Sequence, residues 1–163
     1  TDRLTNDSEK IVEQCFAEHK PLSFEILDID YFKQYNDRYG HQAGDDCVRA
    51  IAALIRQMES DQIFCARYGG DEFVIIYSGM SAEEVCERAE KLRQDVMALQ
   101  IEQRYTEGAF GVTISQGICH DIPSNGNKNW DFLHVADQTL YRVKRRGRNR
   151  LCMTDIHGRE IEV

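Results

Sequence analysis

Long apolar runs are missing from this chain. No stretch approaches the roughly 20 residues that a membrane-spanning helix needs, and no basic-then-apolar leader opens it. Only two prolines occur in 163 residues, which excludes a Pro-rich linker. Neither Cys-x-x-Cys pairs nor His–Cys zinc spacing is present. The six cysteines, Cys15, Cys47, Cys65, Cys86, Cys119 and Cys152, are scattered. Their even number admits disulfides, but most lie in apolar segments of a domain large enough to hold without staples. Reduced, mostly buried thiols of a cytoplasmic protein are therefore expected. Positive charge is also in deficit: 20 Lys and Arg face 28 Asp and Glu, a net charge of −8. Such a chain is a poor general binder of nucleic acid, and neither nucleic acid nor membrane contact is expected of it. A phosphate-bearing partner would have to be held by a local basic patch or a metal. The sequence offers both, with Asp28, Asp30, Asp71 and Glu72 in two motifs and Lys144, Arg145, Arg146, Arg148 and Arg150 in a third.

What remains is the composition of a folded, soluble domain, 42% hydrophobic and 29% charged, over a length suited to one core. Residues 1–163 read as a single domain. The chain opens on Thr1-Asp2 without Met, and it is expected to be the C-terminal part of a longer protein, which could itself be membrane-anchored. Asn6-Asp7-Ser8 offers N-caps for a helix carrying Ile11, Val12, Cys15 and Phe16 at helical spacing and ending near Lys20-Pro21. A strand over 22–29 follows, then a short helix over 31–39 closed by Gly40. Asp45 or Asp46 is expected to open the next helix, with Val48, Ile51, Leu54, Ile55 and Met58 as its apolar stripe. Strands over 62–68 and 73–77 flank Gly69-Gly70, which predicts a hairpin with a type I′ turn and positive φ at both glycines. Ser81 and Glu84 fit a capping box on a helix running to about Gln100, with Val85, Ala89, Leu92, Val96 and Leu99 on one face. A strand over 112–119, a polar loop over 121–129, a helix from Trp130 or Asp131 to Lys144 and a strand over 150–154 complete the chain. The fold class is α+β: a ferredoxin-like β-α-β-β-α-β core, mainly antiparallel, with extra helices.

Two short stretches carry the acids. In Asp28-Ile29-Asp30, at the end of the first strand, alternation sends both carboxylates to one side. A hard cation such as magnesium takes one or two such carboxylates and completes its shell with phosphate oxygens. The alternative is that Asp30 simply caps the helix after it. In Gly69-Gly70-Asp71-Glu72-Phe73 the acids open a strand. If the first strand lies beside this hairpin, Asp28 and Asp71 converge, and paired acids near a triphosphate suit two-metal chemistry. The alternative is a solvated acidic turn.

Read together, the motifs resemble the GGDEF family, the catalytic domains of diguanylate cyclases, over nearly the whole chain. The matching segments are Asp2-x-Leu4-Thr5, Leu27 to Lys33, Tyr35-Asn36-Asp37, Gly40-His41, Gly44-Asp45, Arg67 to Phe73, Ser115-x-Gly117, Ala136-Asp137, Leu140-Tyr141, Lys144 and Gly147-Arg148-Asn149. The resemblance implies a nucleotidyl cyclase-like fold that condenses two GTP into cyclic di-GMP, releasing two pyrophosphates, in a homodimer that forms around the reaction. It implies two Mg2+ or Mn2+ ions per active site, held by Asp28, the Ile29 carbonyl, Asp71 and Glu72. Asp71 would be the base and Glu72 would support the metal site. For GTP it implies backbone amides of Tyr31, Phe32 and Lys33, base contacts from Asn36 and Asp45, and phosphate contacts from Lys144 and Arg148. The chemistry agrees: a helix start favours anions, and a buried Asp45 facing adenine would lack the N1–H that guanine gives it. Outside the resemblance, Asp45 reads as a helix cap, and Lys144 and Arg148 as cations suited to a helix C-terminus. Arg145, Arg146 and Arg150 are given no role beyond solvated surface, and His41 is expected to pack or cap locally.

The chain departs from the family in places. The inhibitory product site, Arg-x-x-Asp upstream of the glycines, has Ser60 and Ile63 at its positions, so none is expected; Arg56 and Glu59 keep a similar spacing one turn earlier. Asn6-Asp7 replaces the usual Gly-Leu, and the family's Asn-Arg pair is missing, which bears on coupling to an upstream sensory module. Gln116 stands where an apolar residue is usual. The rival readings are a degenerate GGDEF domain that binds GTP or cyclic di-GMP without turnover, a pure dimerisation module, and a cyclase with another product.

Overall fold

The computed structural model describes residues 2–103 and 111–163. The Asp2 side chain of the opening motif lies outside the described set. In chain order the elements are α1 (Asp2–Glu18), β1 (Leu22–Ile29), α2 (Phe32–Tyr39), α3 (His41–Arg56), β2 (Ile63–Arg67), β3 (Glu72–Ser78), α4 (Ala82–Ala98), β4 (Ile114–Asp121), α5 (Asn129–Arg145) and β5 (Leu151–Thr154). The sheet runs β2-β3-β1-β4-β5. All neighbours are antiparallel except β4 and β5, which are parallel. The order β2-β3-β1-β4 is that of the expected ferredoxin-like core, and α5 with β5 extends it at one edge.

β1 is the sheet's central strand, and all of its residues are buried. Its alternation feeds two cores. Leu22, Phe24 and Ile26 pack with Leu4, Val12 and Cys15 of α1 and with Phe132, Ala136 and Leu140 of α5. Leu27 and Ile29 pack with Val48, Ile51 and Ile55 of α3 and with Val85, Ala89, Leu92 and Val96 of α4. A strand covered on both sides must be apolar on both sides, and β1 obeys this except at Ser23, Glu25 and Asp28. All six cysteines are free thiols, and four of them are buried. Among the described residues, no helix is long and apolar enough to cross a membrane.

Several local expectations are corrected. α1 begins at Asp2, not after Asn6-Asp7-Ser8. Ser8 is instead a buried link, donating to the Thr5 carbonyl and accepting from Asn129 Nδ2 at 2.8 Å. α3 begins at His41, with Gly40 as its N-cap and no side-chain cap, so Asp45 and Asp46 lie inside the helix. Neither Gly69 nor Gly70 takes the left-handed φ of a type I′ turn. The Arg67 guanidinium holds the loop in another shape, donating to the Gly69 carbonyl at 3.0 Å and the Gly70 carbonyl at 2.5 Å. Leu99 falls past the end of α4 and is 38% exposed. The capping box at Ser81 and Glu84 forms as expected.

Candidate active site

The end of β1 is where the acidic motifs meet. In the β1–β3 register Asp28 stands opposite Glu72, and the Ile29 amide donates to the Asp71 carbonyl at 3.2 Å. The hairpin is thereby tied to the strand, and Asp28, Asp71 and Glu72 share one end of the sheet. Asp28 is 7% exposed. Burial raises its pKa to about 6 against the opposing pull of Lys144, with Asp71 and Asp30 adding to the rise. Burial, Asp71 and Asp137 also raise the Glu72 carboxyl, while Lys144 lowers it. Asp28 Oδ2 forms an ion pair with Lys144 of α5. Asp28 Oδ1 is buried with no hydrogen-bond partner among the described residues.

That orphaned oxygen is the observation against which a metal can be tested. A buried carboxylate oxygen without a donor is costly, and a divalent cation satisfies it. Among the described residues no three His, Cys, Asp or Glu side chains converge tightly enough to hold an ion by themselves. Such a half-built site fits magnesium, which takes few protein carboxylates and completes its shell with phosphate oxygens and water.

Asp30 plays neither of its expected parts. It is 2% exposed and bound by Thr113 Oγ1 at 2.7 Å, Ser115 Oγ at 2.5 Å and the Asn149 amide at 3.1 Å. It locks the end of β1 to β4 and to the segment after α5. The residue before α2 is Tyr31, in the left-handed conformation at φ 57°. Phe32 and Lys33 open α2, where a helix leaves its first amides without acceptors of its own. The Arg148 guanidinium lies 4.6 Å from the centre of the Tyr31 ring. Lys144 and Arg148 are thus brought to the β1–α2 turn.

Asn36 and Asp45 come from α2 and α3, which pack together. Asn36 Oδ1 is buried without a donor among the described residues. Asp45, expected to be buried, is exposed; inside α3 its side chain has only the solvent side of the helix, so only a bound ligand could enclose it. His41 is exposed at the start of α3. Arg146 pairs with Glu160, Arg145 lies against the Tyr141 ring and Arg150 donates to the Arg148 carbonyl. Ser60 is exposed and Ile63 is in the core, while Arg56 and Glu59 line an open cavity of about 490 Å³ with Arg49 and Arg67. Sequence reasoning missed the clamp on Asp30 and the loop-shaping role of Arg67. Polar Thr113 and Ser115, flanking Ile114 at the start of β4, were the available signal for the clamp.

A family model described as diguanylate cyclase, GGDEF domain, matches residues 2–150. A diguanylate cyclase of Vibrio cholerae is 35% identical over 140 residues, which are 82% of this chain and 40% of that protein. The chain spans less than half the length of the curated relatives it matches. Among solved structures, the GGDEF domain of DgcB from Caulobacter crescentus, in complex with c-di-GMP, superposes with a TM-score of 0.82 at 31% identity, covering 94% of this chain and 85% of that one. The active GGEEF domain of a Vibrio cholerae diguanylate cyclase gives a TM-score of 0.79 at 32% identity, covering 93% and 94%. By its fold, its matched length and its relatives, the chain belongs to the GGDEF domain family.

Proposed function

We propose that this domain is a diguanylate cyclase, joining two GTP into cyclic di-GMP with release of two pyrophosphates. The observation that carries the reading is the meeting of Asp28, Asp71 and Glu72 at one sheet end, with Lys144 and the start of α2 beside them. Amides of Tyr31, Phe32 and Lys33 hold the phosphates at the helix start. Lys144 leaves Asp28 for the phosphates when the nucleotide arrives, and Arg148 joins it from the same segment. Asn36 and Asp45 accept the N1–H and amine of guanine. Asp28, the Ile29 carbonyl, Asp71 and Glu72 would hold two Mg2+ or Mn2+ ions, which when bound would neutralise phosphate charge and acidify the attacking hydroxyl.

In the reaction the 3′-hydroxyl of one GTP attacks the α-phosphate of the other. Its proton passes to the Asp71 carboxylate, the bond to pyrophosphate breaks, and Lys144 and Arg148 stabilise the charge that leaves. The same step in the opposite direction closes the ring. One domain holds one GTP, so two must meet face to face, which a symmetric dimer provides. The domain would be cytoplasmic and driven by an upstream sensory module, and the short share of each relative that it spans accords with a longer parent protein.

Incubation with GTP and magnesium, followed by chromatography of the products, tests the reading. Cyclic di-GMP and pyrophosphate are expected from the native chain, and at least about a hundredfold less from Asp71→Asn. GTP that is bound and returned unchanged by the native domain would make it a sensor instead. A different product would assign another cyclase activity.

A further inference from the structure

Gly44 lies in the second turn of α3, where glycine is a poor choice. A helix interior is less stable with glycine than with alanine, and no left-handed φ demands it here. What demands it is α2. A β-carbon on Gly44 would overlap Asn36 Oδ1, and it would lie 2.9 Å from Asn36 Cγ and 3.3 Å from Phe32 Cζ. The first two contacts are closer than real β-carbons reach, and the third asks for only a small adjustment. The Asn36 amide is therefore seated directly on the bare backbone of α3, next to Asp45. In that seat its Oδ1 is closed off from water and finds no donor among the described residues.

We propose that Gly44 is a positioning residue for base recognition: the space left by its missing side chain seats the Asn36 amide beside Asp45. It sets the preference for a base carrying an exocyclic amine. The inference rests on the reading that Asn36 contacts guanine, and it adds how Asn36 is held there. The seat explains why the oxygen of a half-buried asparagine is enclosed without a donor among the described residues. Folding alone would not choose such an arrangement, and a guanine amine completes it once the amide turns in the open space over Gly44 to bring Oδ1 to the base. Any side chain at position 44 must push the amide out of the seat. It would still fold against Phe32, but the two base-reading groups would no longer present a joint surface.

The test is a cycle of Gly44→Ala and Asn36→Ala, read first by thermal unfolding and then by binding. With Asn36 present, Gly44→Ala is expected to lower the melting temperature. In the Asn36→Ala background the amide is gone, and the same change is expected to be neutral or to raise it, because alanine suits a helix better than glycine. Binding is measured with GDP and IDP in magnesium, which lack pyrophosphate as a leaving group and differ only in the amine. The native chain is expected to prefer GDP by about tenfold. Gly44→Ala should abolish that preference as Asn36→Ala does, and the double variant should be no worse than Asn36→Ala. A general loosening of the helix would weaken both nucleotides alike and leave the ratio, and that result overturns the proposal. It is also overturned if alanine at 44 is equally harmful in both backgrounds, or if both variants carrying it fail to fold. Failure of Gly44→Ala alone, with the double variant folded, supports it. If Asn36→Ala itself keeps the native ratio, the guanine reading of Asn36 fails, whatever the melting temperatures show.

Discussion

Glu25 stands in the middle of β1, fully buried, with Tyr77 Oη donating to it at 2.6 Å and Gln116 Nε2 at 3.0 Å. Gln116 also donates to the Ala89 carbonyl at 2.9 Å, so it bridges the carboxyl to α4. This accounts for the polar residue in β4 where an apolar one is usual: Gln116 is there because Glu25 is. Burial raises the Glu25 pKa from 4.5 to about 7, against the lowering effect of its two hydrogen bonds. The unfolded carboxyl loses its proton near pH 4.5, while the folded one keeps it to about pH 7. Between those values the folded chain binds a proton that the unfolded chain does not, so stability falls as pH rises. The loss is complete above the folded pKa and amounts to about 3 kcal/mol. Glu25→Gln cannot titrate and should lack this fall. The check is urea unfolding of both chains from pH 5 to pH 8. The variant is expected to gain on the native protein up to about pH 7 and to hold that lead above it, and a constant difference across the whole window would refute the argument.

The helix α5 crosses β4 at Gly117, where a β-carbon would overlap the Leu140 amide nitrogen and lie 2.5 Å from the Ala136 carbonyl and 2.6 Å from Leu140 Cα. These are backbone atoms and cannot swing aside. Gly117→Ala must therefore push α5 from the sheet, and with it Lys144 from Asp28. We expect a loss of about 3 kcal/mol in denaturant unfolding, at the upper end for added volume in a core, together with weaker GTP binding; unchanged stability would show that the helix can shift without cost. Elements of this kind were legible in the sequence, because their periodicity is local. The apolar stripe of α3, the capping box of α4 and the alternation of the strands all lie within windows a reader can scan. What escaped was set by contacts between distant segments. The start of α3 carries no capping side chain, so Asp45 and Asp46 looked like the cap. The Gly69-Gly70 hairpin was legible but its turn type was not, because Arg67 shapes the loop through its side chain. At the site, the motifs named Asp28, Asp71 and Lys144 separately. That Lys144 serves as the counter-ion of Asp28 in the free chain, and that Asp30 is sealed by Thr113, Ser115 and Asn149, follows only from the register of β1 with β4 and the return of the chain after α5.

At the scale of the molecule the charge balance and the chemistry pull in different directions. A net charge of −8 repels a triphosphate and repels a second copy of the chain. Local cations answer the first difficulty, since Lys144 and Arg148 stand at the β1–α2 turn where the phosphates would lie. In the proposed reaction, ring closure would bring together two domains that each carry a nucleotide and then part to release the product. Encounter would then be part of the reaction, and its frequency would depend on how much enzyme is present. At concentrations below the dimer dissociation constant, doubling the enzyme should raise the rate roughly fourfold, because the active species scales with the square of the protomer concentration. At higher concentrations the dependence should become linear as the dimer fills. Initial rates of pyrophosphate release across a wide dilution series, at saturating GTP and magnesium, measure this directly. A rate strictly proportional to enzyme throughout would mean that one domain, or an already assembled pair, carries the whole reaction. Sedimentation of the same samples would tell those two apart: a monomer at every concentration would remove the face-to-face dimer from the mechanism, and a stable dimer would keep it while ending the need for encounter.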